Sequence, residues 1–561
     1  MDKEKFRLVA IFILFVLLCS YPLFLNLGRL SIRMWDEARN GINAMEMLND
    51  HHFIVTHFDG QPDMWNTKPP FFIWMVALSM NFLGTTAYAL RLPSVLSCLA
   101  IMIYCFWFCK KYLNSVWAGV LSGFVLATSV GFIDYHVARN GDFDAMLSMW
   151  MFFYATQFYI YLEHRKKKNL ILFSLFLSLA ILTKGIAGCL LLLGLFVFLF
   201  TSKSYLSLFK RKEFYIIPII GLFGGASYYF IREGLNHGYI KAVIENEIAG
   251  RYMETNEGHI GTVWYYIDLL RDAHYKYWIY FIPLSFIFLM VRGKDCLKRT
   301  SLFLFIQVLF YWIITTVSHT KLPWYDAPLF PFFAMLIAIG LVQVSIEFKK
   351  ITFIKIAYLK EILFAIFCVI VFIIPVQQIL ATSIQGKKET YYPELFYGDF
   401  INSVYTIFPQ QKTLNIASEG YNPHLIFYTK VWQKKGRTIK IIPPSSHLQK
   451  GDSVLICEIE MCPKLALGLV YDTLLNEEKL KYFMRVISDS ENSEGKNRNL
   501  FLSKINAIKN NPEWLSGIKE KSLKNNIDLE KQIMLDAFWS LNQTHSLSSE
   551  TENYLKKKYH L

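Results

Sequence analysis

Long apolar runs broken by short polar turns dominate this chain. Largely uncharged stretches recur at approximately 7–27, 88–109, 115–133, 143–162, 170–183, 185–201, 214–231, 276–292, 300–317, 324–346 and 360–380. A helix needs about 20 apolar residues to cross a bilayer core, so this pattern predicts a bundle of spanning helices. Eleven spans are counted in this way. The 170–201 stretch reads as one bent helix or two, and the expected total is about 11–13. The first run follows Lys3, Lys5 and Arg7. It exceeds the roughly 7–15-residue apolar core of a signal peptide, and more spans follow it, so it reads as a first transmembrane helix.

After about residue 380 the pattern changes. Segments 412–417, 438–443 and 453–459 carry β-branched residues between turn and helical stretches, as strands do. The expected division is a membrane domain over 1–380, a small mixed α/β domain over 381–488, and a linker at 489–499 leading into helices up to 561.

Composition agrees with membrane embedding. The 561 residues are 54% hydrophobic and 18% charged, whereas soluble domains carry about 25% charge. A net charge of +14 suggests nucleic acid until the basic residues are located. Lys110-Lys111, Arg165–Lys168, Lys210–Lys212, Arg292–Arg299 and Lys349–Lys360 all sit in alternate breaks between spans. That is the cytoplasmic bias of membrane proteins with the N-terminus inside, and it excludes a polyanion reading. Loops 28–87, 134–144 and 232–273 then face outward, as does the C-terminal domain. Seven of the nine cysteines lie in or beside spans, while Cys457 and Cys462 could pair or stay free. No CxxC or HExxH spacing is present.

Candidate chemistry gathers in the outward segments. Residues 31–50 predict an amphipathic helix along the bilayer surface, with Trp35, Ala38, Ile42 and Met45 on one side and Asp36, Arg39, Asn40 and Asn43 on the other. Asp36 and Glu37 open that helix, where capping by the dipole and catalysis are both open readings. Lys68 precedes Pro69-Pro70, which restricts the backbone around one cation. Such a lysine is suited to a phosphate, although a lysine at a bilayer surface often only snorkels. Arg91, Arg139, Arg251 and Lys321 also fall at outer membrane edges, against the positive-inside trend. In the turn Arg139–Asp144, Asp142 suits an N-cap. Lys184 lies within an apolar stretch and should face the bundle interior. His259 and His274 carry no assigned role.

The runs WDEAR, MWNTKPPFFIWMVALSMNFLG, ALRLPS, ARNGDFDA, LTKG, ENEIAGRY and HTKLPWYDAPLFP, in this order over residues 1–380, resemble the lipid-carrier-dependent membrane glycosyltransferases. That superfamily includes the aminoarabinose transferase that modifies lipid A and the protein O-mannosyltransferases, which share the GT-C fold. The resemblance implies an inverting transfer of a sugar from a polyprenyl-phosphate donor to a glycolipid, glycan or protein acceptor. It also implies a multi-pass enzyme of the bacterial inner membrane with an extracytoplasmic site. Asp36 matches the proposed base, with Glu37 and Asp144 completing the expected catalytic set. Lys68, Arg91, Arg139, Arg251, Lys321 and Tyr325 form the expected donor-phosphate set. Phosphate is a good leaving group, so no second carboxylic acid is required, in contrast to glycoside hydrolysis. No cofactor is expected. Asp36, Glu37, Asp142 and Asp144 could hold a divalent ion, but the nearby cations make one unnecessary. One departure stands out: relatives often carry glutamate before the lysine of the KPP run, and here that residue is Thr67. The alternative readings are a transporter of lipid-linked sugars and a non-catalytic assembly factor.

Overall fold

The computed structural model describes residues 3–134, 136–247, 260–350, 357–381, 393–446, 448–457, 469–477, 481–489, 493–525, 527–543 and 556. Its residues separate into two units. The first contains Met1–Leu30 and Trp35–Thr390, and the second contains Ser31–Met34 and Tyr391–Leu561.

The first unit is helical because its sequence supplies apolar runs with nowhere else to satisfy backbone polar groups in lipid. Among the described residues, seven helices are long and apolar enough to cross a membrane: Lys3–Phe24, Ala87–Tyr112, Lys167–Cys189, Glu213–Leu235, Asp295–Val317, Pro323–Lys349 and Ile362–Ile379. Leu192–Leu199 and Lys203–Lys210 form a further pair bent by 109°. The protein is therefore an integral, multi-pass membrane protein. Helix Asp144–His164 is buried along nearly its whole length and packs against Lys167–Lys184 and Ala87–Tyr112.

Several expected spans are broken. Stretch 115–133 divides into Val116–Ala127 and Val130–Ile133. The hydroxyls of Thr128 and Ser129 donate back to the carbonyls of Phe124 and Val125 at 2.7 and 2.5 Å, which ends the first helix. Stretch 185–201 is a 3₁₀ turn, Gly185–Cys189, followed by the short helix Leu192–Leu199. Stretch 276–292 likewise begins as a 3₁₀ turn, Lys276–Tyr280, before helix Phe281–Arg292.

The 28–87 segment is more built than a loop. It contains helix Asp36–Asp50, a two-stranded hairpin (β1, His57–Phe58; β2, Gln61–Pro62) and the apolar helix Phe71–Leu83. The Asp36–Asp50 helix departs from the expected interfacial one. Residues Glu37 to Met47 are buried on every side. Its polar face meets protein instead of water, because Asp63, Gly141 and the carbonyl of His57 receive Arg39, Asn40 and Asn43.

The second unit contains a five-stranded sheet. Strands β3 (Thr413–Ala417), β4 (Thr438–Ile442) and β5 (Ser453–Ile456) match the three expected strand segments, and β6 (Leu469–Glu477) and β7 (Lys481–Asp489) add a hairpin. The order is β4-β3-β5-β7-β6, with β3 parallel to both neighbours and β7 antiparallel to β5 and β6. Helices Ser493–Lys509, Pro512–Asn525 and Leu529–Gln543 share a core around Phe501, Ile518, Ile533 and Phe538. Most of the expected 489–499 linker is thus the first turns of a helix. Ser31 and Ile32 belong to this unit through bonds to Asp399 and Tyr428, both at 3.0 Å. Cys457 is buried, and Cys462 lies outside the described residues.

Candidate active site

Three segments far apart in sequence meet around the start of helix Asp36–Asp50. Glu37 performs the joining. Arg91 Nε and Nη2 donate to its two carboxylate oxygens at 2.7 and 2.9 Å, and the Gly141 amide donates to Oε1 at 2.9 Å. Arg91 Nη1 donates to the carbonyls of Leu27 and Leu30, both at 2.9 Å. Asn40 Nδ2 holds the Gly141 carbonyl at 3.0 Å. This peptide is clamped so closely that a β-carbon at position 141 would lie 2.6 Å from Leu90 Cγ.

The clamp bears on two expectations: Glu37 accepts from Arg91 and the Gly141 amide, and the guanidinium of Arg91 is held by Glu37 and two backbone carbonyls, so in this structure both are engaged as scaffold. Arg139 and Lys321 are engaged with backbone as well. Arg139 Nη1 donates to Pro22 and Leu25 carbonyls at the end of the first helix, at 3.2 and 2.7 Å. Lys321 Nζ donates to Thr316 and Ser318 carbonyls at 2.7 and 2.8 Å. Cations suit the carbonyl-rich ends of helices. Arg251 and His259 lie outside the described residues.

The remaining expected residues converge. Asp36 is half-buried and makes no hydrogen bond or ion pair among the described residues. Its carboxylate lies within 4.8 Å of donor atoms on His136 and Asp142. His136 Nδ1 and Asp142 Oδ2 are 2.6 Å apart, and the imidazole stacks on Trp324 with centroids 3.5 Å apart. Burial opposes ionisation of Asp142, but His136, with Lys184 and Lys68 behind it, holds the carboxyl down to about 2. Asp142 does not cap the following helix from outside. Its Oδ1 accepts from the Phe143 amide at 2.7 Å.

Two buried lysines stand behind this group. Lys68 is 7% exposed. Its carbonyl-side neighbours are Pro69-Pro70, and the preceding Thr67 carbonyl accepts from Tyr239 Oη at 2.6 Å. The ammonium lies 5.3 Å from the Phe143 ring centroid and 3.9 Å from Glu247 Oε1. Lys184 donates to both oxygens of Asp144 at 2.6 and 2.7 Å and sits 5.7 Å from the Tyr325 ring centroid. Helix Lys167–Lys184 ends here because Gly185 takes φ +59°, and a side chain at that position would collide with the Tyr229 hydroxyl.

Both lysines line the head of a cavity of about 570 Å³ whose walls are apolar, among them Leu222, Phe223, Ala226 and Phe230. A second, smaller space of about 50 Å³ adjoins it, lined by Asp144, Lys184, Glu247, Ser318 and Tyr325. Lys184, Glu247 and His136 are the contributions that motif reading did not assign. Only Lys184 carried a usable signal, as a lysine inside an apolar stretch.

Asp36, His136 and Asp142 offer two carboxylates and one imidazole, a donor set that divalent ions accept. His274 pairs separately with Asp326 at 2.7 Å.

Residues 67–228 match the dolichyl-phosphate-mannose-protein mannosyltransferase family. An uncharacterized protein of Aquifex aeolicus is 26% identical over 372 residues, covering 64% of this chain and 68% of its own. The undecaprenyl phosphate-alpha-4-amino-4-deoxy-L-arabinose arabinosyl transferase of Aeromonas hydrophila is 24% identical over 347 residues, and the match spans 60% of each chain. Among solved structures, ArnT from Cupriavidus metallidurans bound to undecaprenyl phosphate is similar with a TM-score of 0.61 and 15% identity, covering 85% of this chain and 98% of that one. The Archaeoglobus fulgidus oligosaccharyltransferase in its apo form reaches a TM-score of 0.50 at 13% identity, over 79% of this chain and 65% of its own.

Proposed function

We propose that this multi-pass membrane protein of the GT-C fold is a glycosyltransferase that moves a sugar from a polyprenyl-phosphate carrier to a hydroxyl or phosphate of a lipid, glycan or protein acceptor. The observation that carries this reading is the apolar cavity of about 570 Å³ with Lys68 and Lys184 at its head. Apolar walls suit an isoprenoid tail, and buried cations suit the phosphate to which it is joined. The names of the Aeromonas and Cupriavidus proteins support the same carrier.

In the proposed reaction the acceptor oxygen attacks the sugar carbon while its proton passes to a carboxylate of Asp36. The carbon–phosphate oxygen bond breaks with its electron pair going to the phosphate. Displacement by a single oxygen inverts the sugar carbon. Lys68 neutralises the charge that grows on the phosphate, which in a dry site is among the larger catalytic contributions. Arg251 and Tyr325 retain their expected places in the donor set. Asp144 acts through Lys184, holding that cation at the cavity head. His136 is the hydrogen-bond partner of Asp142, and the reaction as proposed calls on no divalent ion. The site and the second unit face outward from a bacterial inner membrane. The sugar is a pentose or hexose.

The test is purified full-length protein in detergent, supplied with undecaprenyl-phosphate-linked sugars and with lipid, glycan and peptide acceptors. One undecaprenyl phosphate should be released for each sugar attached. Movement of intact donor across reconstituted vesicles without its release would instead establish a transporter.

A further inference from the structure

Arg232 is fully buried near the end of helix Glu213–Leu235, and the proposed reaction makes no use of it. A guanidinium stays charged in proteins, and burying a charge is costly unless something matches it. Among the described residues no carboxylate pairs with Arg232. Its partners are neutral. Nη1 donates to the hydroxyls of Thr56 and Tyr228 at 3.0 and 3.1 Å, and Nη2 to the Asp63 carbonyl at 2.7 Å. The guanidinium carbon also lies 4.2 Å from the Tyr239 ring centroid, within reach of a cation–π attraction.

The groups around this cation all hold the run that ends in Lys68. Tyr228 Oη donates to the Ile54 carbonyl at 2.8 Å, and Tyr239 Oη to the Thr67 carbonyl at 2.6 Å. Residues 54, 56, 63 and 67 are thus gripped by Tyr228, Arg232 and Tyr239. The Thr67 carbonyl belongs to the peptide that leads into Lys68, and Pro69-Pro70 stiffen the chain on the other side. Tyr239 stacks in turn on Tyr229 with centroids 5.9 Å apart. Tyr229 and Lys68 both line the cavity of about 570 Å³. The latch therefore stands at the cavity head.

We propose that Tyr239, held by Arg232, is a positioning residue for Lys68. It fixes the Thr67–Lys68 peptide so that the ammonium is in place before a carrier phosphate arrives. Affinity is gained because the lysine need not be ordered during binding. This rests on the carrier reading given above.

The experiment titrates full-length protein in detergent with undecaprenyl phosphate and with undecaprenol, which lacks the phosphate. Tyr239→Phe removes one hydroxyl and keeps the ring. It should weaken phosphate binding about three- to tenfold, the net worth of one hydrogen bond, and leave undecaprenol binding unchanged. Arg232→Lys, which keeps the charge and loses the fork, should act in the same direction. In a Lys68→Met background neither change should cost anything further, because the group being positioned is gone. If Lys68→Met alone abolishes phosphate binding, the undecaprenol comparison decides. Unchanged phosphate affinity in either variant, equal losses for both probes, or the same loss with Lys68→Met as without it would overturn the proposal. The last two are the results of a purely structural role. If wild type binds neither probe, or Lys68→Met binds the phosphate as well as wild type does, it is the carrier reading itself that falls.

Discussion

Charge is handled in two different ways within a short distance of Asp36. On one side, Glu37–Arg91 and Arg39–Asp63 are closed by protein groups. Asp63 alone receives Arg39 Nε and Nη2 at 2.8 and 2.7 Å, Asn43 at 3.0 Å and the amides of Trp65 and Asn66 at 3.1 and 2.9 Å. Burial pushes its carboxyl up, and Arg39 with these donors outweighs burial and holds it below the ordinary aspartate range. On the other side, Asp36 makes no such bonds among the described residues, and Lys68 has only a long contact and borders the cavity. The sequence shows the same residue types in both places. What separates scaffold from chemistry is whether the protein has already matched the charge.

The sharpest way to break that distinction is Asp36→Asn. If Asp36 is the base, transfer should fall by about 10²–10⁴-fold while the melting temperature stays put. Full turnover with an intact fold would move the base elsewhere. Arg91→Ala should do the reverse. Removing one partner of a buried, bidentate pair costs about 3–5 kcal/mol, so loss of folded protein in thermal unfolding should precede any specific kinetic defect. A stable Arg91→Ala protein that fails only to bind carrier would return Arg91 to the phosphate set. The smallest expected effect is that of chelation. EDTA should leave the transfer rate unchanged, and a loss restored by Mg²⁺ or Mn²⁺ would show that Asp36, His136 and Asp142 act as a metal site.

Much of the architecture was legible beforehand, for a simple reason. Apolar run length and basic breaks respond to the bilayer, which acts on every span alike. The three strand segments of the second unit were readable because β-branched clusters register locally. The pairings were not. Glu37 and Arg91 are 54 positions apart, and Asp144 and Lys184 are 40 apart. Only the packing of helices decides that Arg91 turns to Glu37 and not to a substrate. The Asp36–Asp50 helix misled for the same reason. A polar face signals water unless Asp63 and Gly141 are known to cover it. The 115–133 break was missed because Thr128 and Ser129 look like ordinary span residues until their hydroxyls are seen bonding backward.

Gly185 joins two demands at one position. It ends the helix that delivers Lys184, and it forms part of the cavity wall with Tyr229 against it. The far walls carry no such double duty, since Phe223 and Phe230 are 69% and 68% exposed. Descendants of this chain can therefore drift in the residues that meet the carrier tail, adapting to longer, shorter or more saturated isoprenoids, while the glycine stays fixed. Lipid preference and reaction chemistry are free to evolve on separate clocks.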